Sequence, residues 1–545
     1  MKSGVKYKWN RRDFLKASAL LAISTQFIQA CKRGTNKLFL KLTGTNHILG
    51  HRLRFPDFPK PSDEIHIPYL ILGGGIAGLS AAYQLKNQGI TDFLLVEMED
   101  KLGGNSKSSE NNYSKYPLGA HYLPIPNASN KELYTFLEKA KIVTGWTADK
   151  TPIFDEEQLS FAPQSRLFIH NYWQSCVIPE YGVEEDDLKQ IQRFFTQMQY
   201  FSKLKGPDAK FVFDLPTLFA SETHDFWDLD KISMAEWMKQ EGYSSKYLFD
   251  YVNYACRDDF GTGVNNSSAF AGIHYFSSRK HDYFPNDDRV LTWQEGNGRL
   301  VEKLKEIANP ISIKNSLAYK IEQEKDIVKV YVYDSKTNKS TIYTTNKLIN
   351  CCPQFVNQYL IPGRKELSKH CQYAPWIVAC VVLDEFPTSI GESLSWDNVI
   401  YGAKGLGYIY NQHQSVAQFK SPFVLSYYHS LDGKDLKKER QKLYDWTEEQ
   451  WKDFIIKDLS IAHYGIEKHI SSIEVYRLGH GMISPVPGYL SSNIRKDLAK
   501  PIGNQIYFAH SDLSGLSLFE EAFYRGIQAA DNALLKQDFN FHNIS

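Results

Sequence analysis

Between residues 67 and 104 the chain runs apolar (IPYLIL), glycine-rich (GGGIAG), alanine-rich (LSAAYQL) and apolar again (FLLV). That order predicts a buried strand, a tight turn, a helix and a second buried strand, one βαβ unit. Further on, SLAYKIEQEKDIVKVYVYDSKTNKSTIYTTNKLINCCP alternates at Val328, Val330 and Val332 as a half-buried strand does. It turns at DSKTNK and closes on a buried strand at LINCCP. Near the end, IYFAHSD and LFEEAFYRGIQAA read as a strand and an amphipathic helix. Residues 32–63, rich in Lys, Arg, Thr and Pro, read as a tether and lead-in.

The first unit carries candidate chemistry at its turn, Gly73-x-Gly75-x-x-Gly78, with Glu97 closing the second strand. Gly73 allows the turn, Gly75 lets backbone approach a pyrophosphate, and Gly78 lets helix and strand pack closely. The helix start offers N–H groups and a positive dipole end to phosphate. Glu97 stands at the spacing that puts a carboxylate on ribose hydroxyls, where a 2′-phosphate would be repelled. An adenine dinucleotide is the expected ligand.

Composition narrows the class. The 545 residues are 42% hydrophobic with a formal charge of +1, which gives nucleic acid no attraction, and no apolar run reaches spanning length. Besides Cys31, the cysteines are Cys176, Cys256, Cys351, Cys352, Cys371 and Cys380. They have no metal-like or CxxC spacing and are expected as thiols. P-loop, GxSxG and HExxH spacings are absent, so phosphoryl transfer, hydrolase and zinc protease chemistry have no support.

After Glu97 come Leu102-Gly103-Gly104-Asn105 and Pro117-Leu118-Gly119-Ala120-His121. This start resembles the FAD-binding segment of the flavin amine oxidase and phytoene desaturase superfamily. The likeness returns at Trp293 to Leu300, with its glycine turn into a helix, and at Ile506 to Ala530. The resemblance implies an α/β class, a Rossmann-like FAD-binding domain from 64–124, 290–355 and 476–540, interleaved with an α+β substrate domain from 125–289 and 356–475. It implies backbone near Ala318 against adenine, Asp512 on the ribitol, and the helix start at Phe519 facing the flavin pyrimidine. A positive helix end there would stabilise reduced flavin. His510 stands where the family usually has glycine.

Flavin accepts the hydride itself, so an acid-base constellation is not required. A gap-free alignment puts Ala379 where amine-oxidising members carry a lysine, and Gly481 and Leu518 at the two tyrosine cage positions. His480 falls where members with covalent flavin carry the attaching cysteine, so it is a candidate for flavin attachment, a base, or a structural histidine. His121 is expected near the flavin, shaping access or taking a proton. Arg257-Asp258-Asp259 and Glu295 are read mainly as a local salt-bridge network. Most of the aromatic residues of the intervening segments are expected to fill core, with a minority lining an apolar tunnel.

At the amino terminus, Arg11-Arg12-Asp13-Phe14-Leu15-Lys16, the run ASALLAISTQFIQA and Cys31 resemble a twin-arginine export signal (1–31) ending in a lipobox. The resemblance implies the twin-arginine translocase as a partner, a periplasmic or envelope location, and a possible membrane tether through Cys31. The expectation is an exported FAD-dependent oxidoreductase taking a hydride from an apolar or amphipathic small molecule onto flavin N5 and passing electrons to oxygen or a membrane acceptor. The alternatives are an amine or polyamine oxidase with a divergent site, and a flavin-binding protein without turnover.

Overall fold

The protein is described by a computed structural model covering residues 38–535 except 224, 286–287 and 416–417; Arg11, Arg12 and Cys31 lie outside the described residues. A five-stranded parallel sheet, ordered Ile311–Ile313, Phe93–Val96, Tyr69–Leu72, Lys347–Asn350 and Ile506–Phe508, gathers strands from three separated parts of the chain. Its inner strands are buried on both faces, which explains their unbroken apolar runs. The helix Ile76–Asn87 covers one face and packs against Phe519–Leu534. The two helices meet backbone to backbone: a Cβ at Gly526 would lie 2.2 Å from the Ala77 carbonyl oxygen.

The hairpin forms as read. Val328–Asp334 and Lys339–Thr345 pair antiparallel, with Val328, Val330 and Val332 facing a core. The second large unit is an eight-stranded sheet centred on Tyr373–Leu383, Phe423–Ser430 and Ile470–Ile483, with a helical layer that includes Lys246–Phe260 and Ala269–Ser277. The expected boundary at 476 therefore falls inside a continuous strand of this sheet.

The described part of the expected tether is built into the fold. Phe39–Gly44 is an edge strand of the eight-stranded sheet, His47–His51 is a short helix, and Pro61–His66 pairs in parallel with Lys339–Thr345. Leu49 and Leu53 sit one helical turn apart and enter the same core as Leu70, Leu72 and Val96. Among the described residues no helix is long and apolar enough to cross a membrane.

Candidate active site

The glycine turn takes the conformation its residues require. Gly73 has φ +93°, and a Cβ on Gly78 would lie 1.9 Å from the Gly73 carbonyl oxygen. Gly75 is different: its φ of −75° suits any residue, and a Cβ there would meet nothing closer than 3.8 Å. Its open side faces a cavity of about 390 Å³.

This cavity gathers most of the expected cofactor residues: Gly73, Gly75, Glu97, Gly103, Gly104, Ala318, Asp512 and Phe519 all line it. Gly78 does not, because it supports the turn from behind. The helix at Ile76 begins without a side-chain cap, so its first N–H groups are left for a ligand at the cavity wall. Glu97 is buried and accepts from the backbone N–H of Gly74 at 2.6 Å and of Glu99 at 2.8 Å. Burial pushes its pKa above the ordinary value despite those two donors.

Asp512 is held more fully than expected. Burial alone would raise its pKa, but His510 beside it, the Tyr373 hydroxyl at 2.5 Å and the Gln354 N–H at 2.8 Å keep it below the usual carboxylate range. His510 occupies extended backbone, φ −169°, which any residue adopts, and its Nδ1 accepts from the Asp512 N–H at 3.1 Å. The missing glycine therefore leaves the path intact, and the imidazole serves as the cap.

His480 also lines this cavity. Its ring stacks on Phe355 at 4.1 Å, and burial together with Arg440, Arg54 and His51 pushes its pKa well below the ordinary value, so it is neutral. The next residue, Gly481, lines both this cavity and an adjoining one of about 130 Å³; Asn105, Ala120, Leu478 and Ser517–Phe519 complete the shared wall. Leu518 and Gly481 thus face the second cavity, as their aligned positions imply, whereas His480 points to the first.

The gap-free alignment fails at Ala379. Ala379 is fully buried between Tyr427 and Val475 of the flanking strands, and the cavity is faced instead by Trp376 and Val378. Side chains alternate along a strand, so a slip of one residue turns the wrong face inward. The inward positions still carry no lysine.

His121 lies in the second cavity and not the first. Its ring packs against Tyr428 at 4.6 Å and Tyr122 at 4.8 Å, and burial lowers its pKa to about 3. It also lines a chamber of about 190 Å³ together with Tyr254, Asp258, Tyr275 and Asp397.

The charged triplet separates rather than forming one network. Arg257 pairs with Asp432 at 3.1 Å, and Glu295 pairs with Arg299 at 3.1 Å away from these cavities. Asp259 stands 3.7 Å from Arg279, too long for a hydrogen bond, so Asp259 Oδ2 and Arg279 Nε remain without a hydrogen-bond partner. Asp258 faces both the cavity and the chamber. Burial, then Asp259 and Asp397, push its pKa well above the ordinary value. Burial likewise raises Asp397 to about 7, and Glu520, on the cavity wall, to about 7. Helix Lys246–Phe260, strand Asp397–Ile400 and helix Phe519–Leu534 thus bring three acids of elevated pKa to two adjoining cavities that share Asp258, with Arg279 facing the one that holds Glu520. Sequence reading misses this cluster: of the three acids it singles out only Asp258, and that as part of a salt-bridge network.

Cys351 and Cys352 line the first cavity as thiols, and burial raises both. Among the described residues no group of His, Cys, Asp or Glu is arranged to hold a metal.

Residues 71–140 match the NAD(P)-binding Rossmann-like domain family. A curated relative, an iron-sulfur subunit of the CoB–CoM heterodisulfide reductase of Methanopyrus kandleri, is 32% identical over 115 residues, 19% of this chain; the chain spans 17% of that relative's length. Among solved structures, wild-type putrescine oxidase bound to putrescine is 14% identical, with 86% of this chain and 99% of that chain covered and a TM-score of 0.63. The CLA-producing fatty acid isomerase from P. acnes is 15% identical, with 86% and 99% covered and a TM-score of 0.61. The chain thus carries, at residues 71–140, a segment that matches the NAD(P)-binding Rossmann-like family, within a mixed α/β fold that it shares with putrescine oxidase and a fatty acid isomerase.

Proposed function

We propose that the chain is an FAD-dependent oxidoreductase of the flavin amine oxidase and desaturase superfamily, acting on a small amphipathic molecule. One observation carries the reading: a dinucleotide-type cavity shares a wall, at Gly481 and Leu518, with a separate, ring-lined cavity. A nicotinamide dinucleotide bound for binding's sake needs no such second compartment. FAD held in the first cavity would supply the two-electron acceptor.

The protein's own residues bind and shield. First-turn N–H groups at Ile76 and Ala77 would hold the diphosphate, and Glu97 would hold ribose hydroxyls. Asp512 is ionised and fixed by Tyr373 and Gln354, so it is a rigid acceptor for a ribitol hydroxyl. Trp376, Val378, Leu518 and Phe519 exclude water from the second cavity and hold the apolar part of a substrate. His121, neutral and enclosed by rings, shapes that space.

A second reading, an amine or polyamine oxidase with a divergent site, is favoured by the acids Asp258, Asp397 and Glu520, which suit a basic nitrogen better than a neutral group. Putrescine oxidase, with the same fold, is known bound to an amine. The inward-facing strand positions here lack lysine, so simple arylalkylamines are expected to bleach the flavin slowly. Anaerobic stopped-flow mixing with amines, polyamines and unsaturated or hydroxylated apolar compounds decides between the readings. Rapid bleaching by a primary amine establishes the second, and no bleaching by any of them leaves a flavin-binding protein without turnover.

Export belongs to the same proposal. The twin arginines before a short apolar run support loading of FAD in the cytoplasm and passage of the folded protein to the periplasm or envelope, with Cys31 as a lipid anchor. Arg11→Lys with Arg12→Lys is expected to leave the precursor in the cytoplasm. Wild-type export of that variant, measured by cell fractionation, rejects the localisation; release of an exported soluble form by Cys31→Ala establishes the anchor.

A further inference from the structure

The stretch from residue 40 to 66 crosses the cofactor cavity between two sheets. On one side, Thr45 N–H donates to the Arg477 carbonyl at 3.2 Å, Arg477 Nε returns a bond to the Thr43 carbonyl at 3.2 Å, and Lys41 pairs with Glu474 at 3.0 Å. On the other, Pro61–His66 lies in register with Lys339–Thr345. Between these moorings Leu49 and Leu53 are buried with Leu72, Val96 and Ala318, strands and backbone that themselves border the cofactor cavity. The same segment closes the cavity: Thr45, Asn46, His47, His51 and Arg54 stand in its wall, and Leu53 reaches that wall as well as the core. Asn46 N–H donates to Glu99 at 2.8 Å, two residues past the ribose acid Glu97, and the His47 ring lies 4.3 Å from Tyr444 across the opening.

We infer that residues 45–54 are the outer wall of the dinucleotide site, a strap that must leave its seat before FAD can leave. The inference rests on the FAD reading above. The strap brings Arg54 and the polar residues Thr45, Asn46, His47 and His51 to the cavity, and Asn46 is anchored to Glu99, two residues past the ribose acid. Its contribution to retention is mechanical, because both of its ends are paired to sheets that do not otherwise depend on it.

The test is the rate of flavin release from purified holoprotein, read as the rise of free-flavin fluorescence after large dilution. Leu49→Asp, which unseats the strap at a buried position outside the cavity wall, is expected to release FAD at least ten times faster than wild type while the far-UV circular dichroism of the apoprotein is unchanged. Release at the wild-type rate overturns the inference. Should that variant fail to fold, trypsin cleavage of the wild type after the exposed Arg54 decides: saturating FAD is expected to slow cleavage at least tenfold, and an unchanged rate overturns the strap. A wild type that binds no FAD in either experiment rejects the cofactor reading instead, so the two failures are distinguishable.

Discussion

Gly75→Trp protein is expected to purify colourless while its apoprotein melts where the wild type's does. The reason lies in two glycines three residues apart with opposite surroundings. At Gly75 the backbone is in a region open to every residue and the missing side chain faces the cofactor cavity, so an indole there occupies ligand space and strains nothing. At Gly78 the missing side chain faces the Gly73 carbonyl at 1.9 Å, backbone against backbone with no flexible end to yield. Gly78→Ala should therefore cost at least about 3 kcal/mol in the apoprotein as well, by overpacking, and lose flavin as a consequence. Calorimetry of both apoproteins, with the flavin absorbance of each preparation, separates the cases. A Gly75→Trp protein that remains yellow would remove the dinucleotide from this cavity.

The second large effect concerns the buried acids. Asp258 and Asp397 hold their protons to higher pH than free carboxyls because burial, and for Asp258 also Asp259 and Asp397, oppose ionisation. A bound cation favours the ionised forms, so it must bind more tightly as pH rises through about 7 for Asp397, with the raised Asp258 adding to the same slope. A neutral amphipathic ligand shows no such slope. An alkyl trimethylammonium inhibitor carries a fixed charge, so the change in its inhibition constant between pH 6 and 8 reports the acids alone. Asp258→Asn keeps the size of the side chain and removes its ability to ionise. It should weaken the inhibitor by roughly 30- to 100-fold, about 2 to 2.7 kcal/mol, as expected for loss of a desolvated charge partner. A pH-independent constant that Asp258→Asn does not alter would eliminate cation recognition and leave the neutral substrate.

What can be read from the chain follows the range of the forces involved. The βαβ unit is legible because strand, turn, helix and acid are consecutive and each glycine has a local steric reason. The hairpin is legible from its period of two. Ala379 is misplaced because a strand buried on both sides, as Tyr373–Leu383 is throughout, offers no alternation from which to fix the inward face. Asp258, Asp397 and Glu520 come from segments more than a hundred residues apart, and no local pattern marks acids that only the tertiary fold desolvates. The strap reads as a tether because its helix spans only one turn and its strands are satisfied by edges of two different sheets, so neither carries a period of its own.

The five-stranded sheet also sets a clock. Phe93–Val96 leaves the ribosome early, yet Ile506–Phe508, which completes the sheet beside Lys347–Asn350, is made some 410 residues later. At about 5 to 20 residues per second that interval is roughly 20 to 80 seconds. Throughout it Lys347–Asn350 waits for its outer partner strand, and Leu70 and Leu94 wait for Ile506 and Phe508 of their shared core. Chaperone dependence in the cell should accordingly grow when translation is slowed between these strands, and a ribosome stalled before residue 506 should display a nascent chain unable to retain flavin.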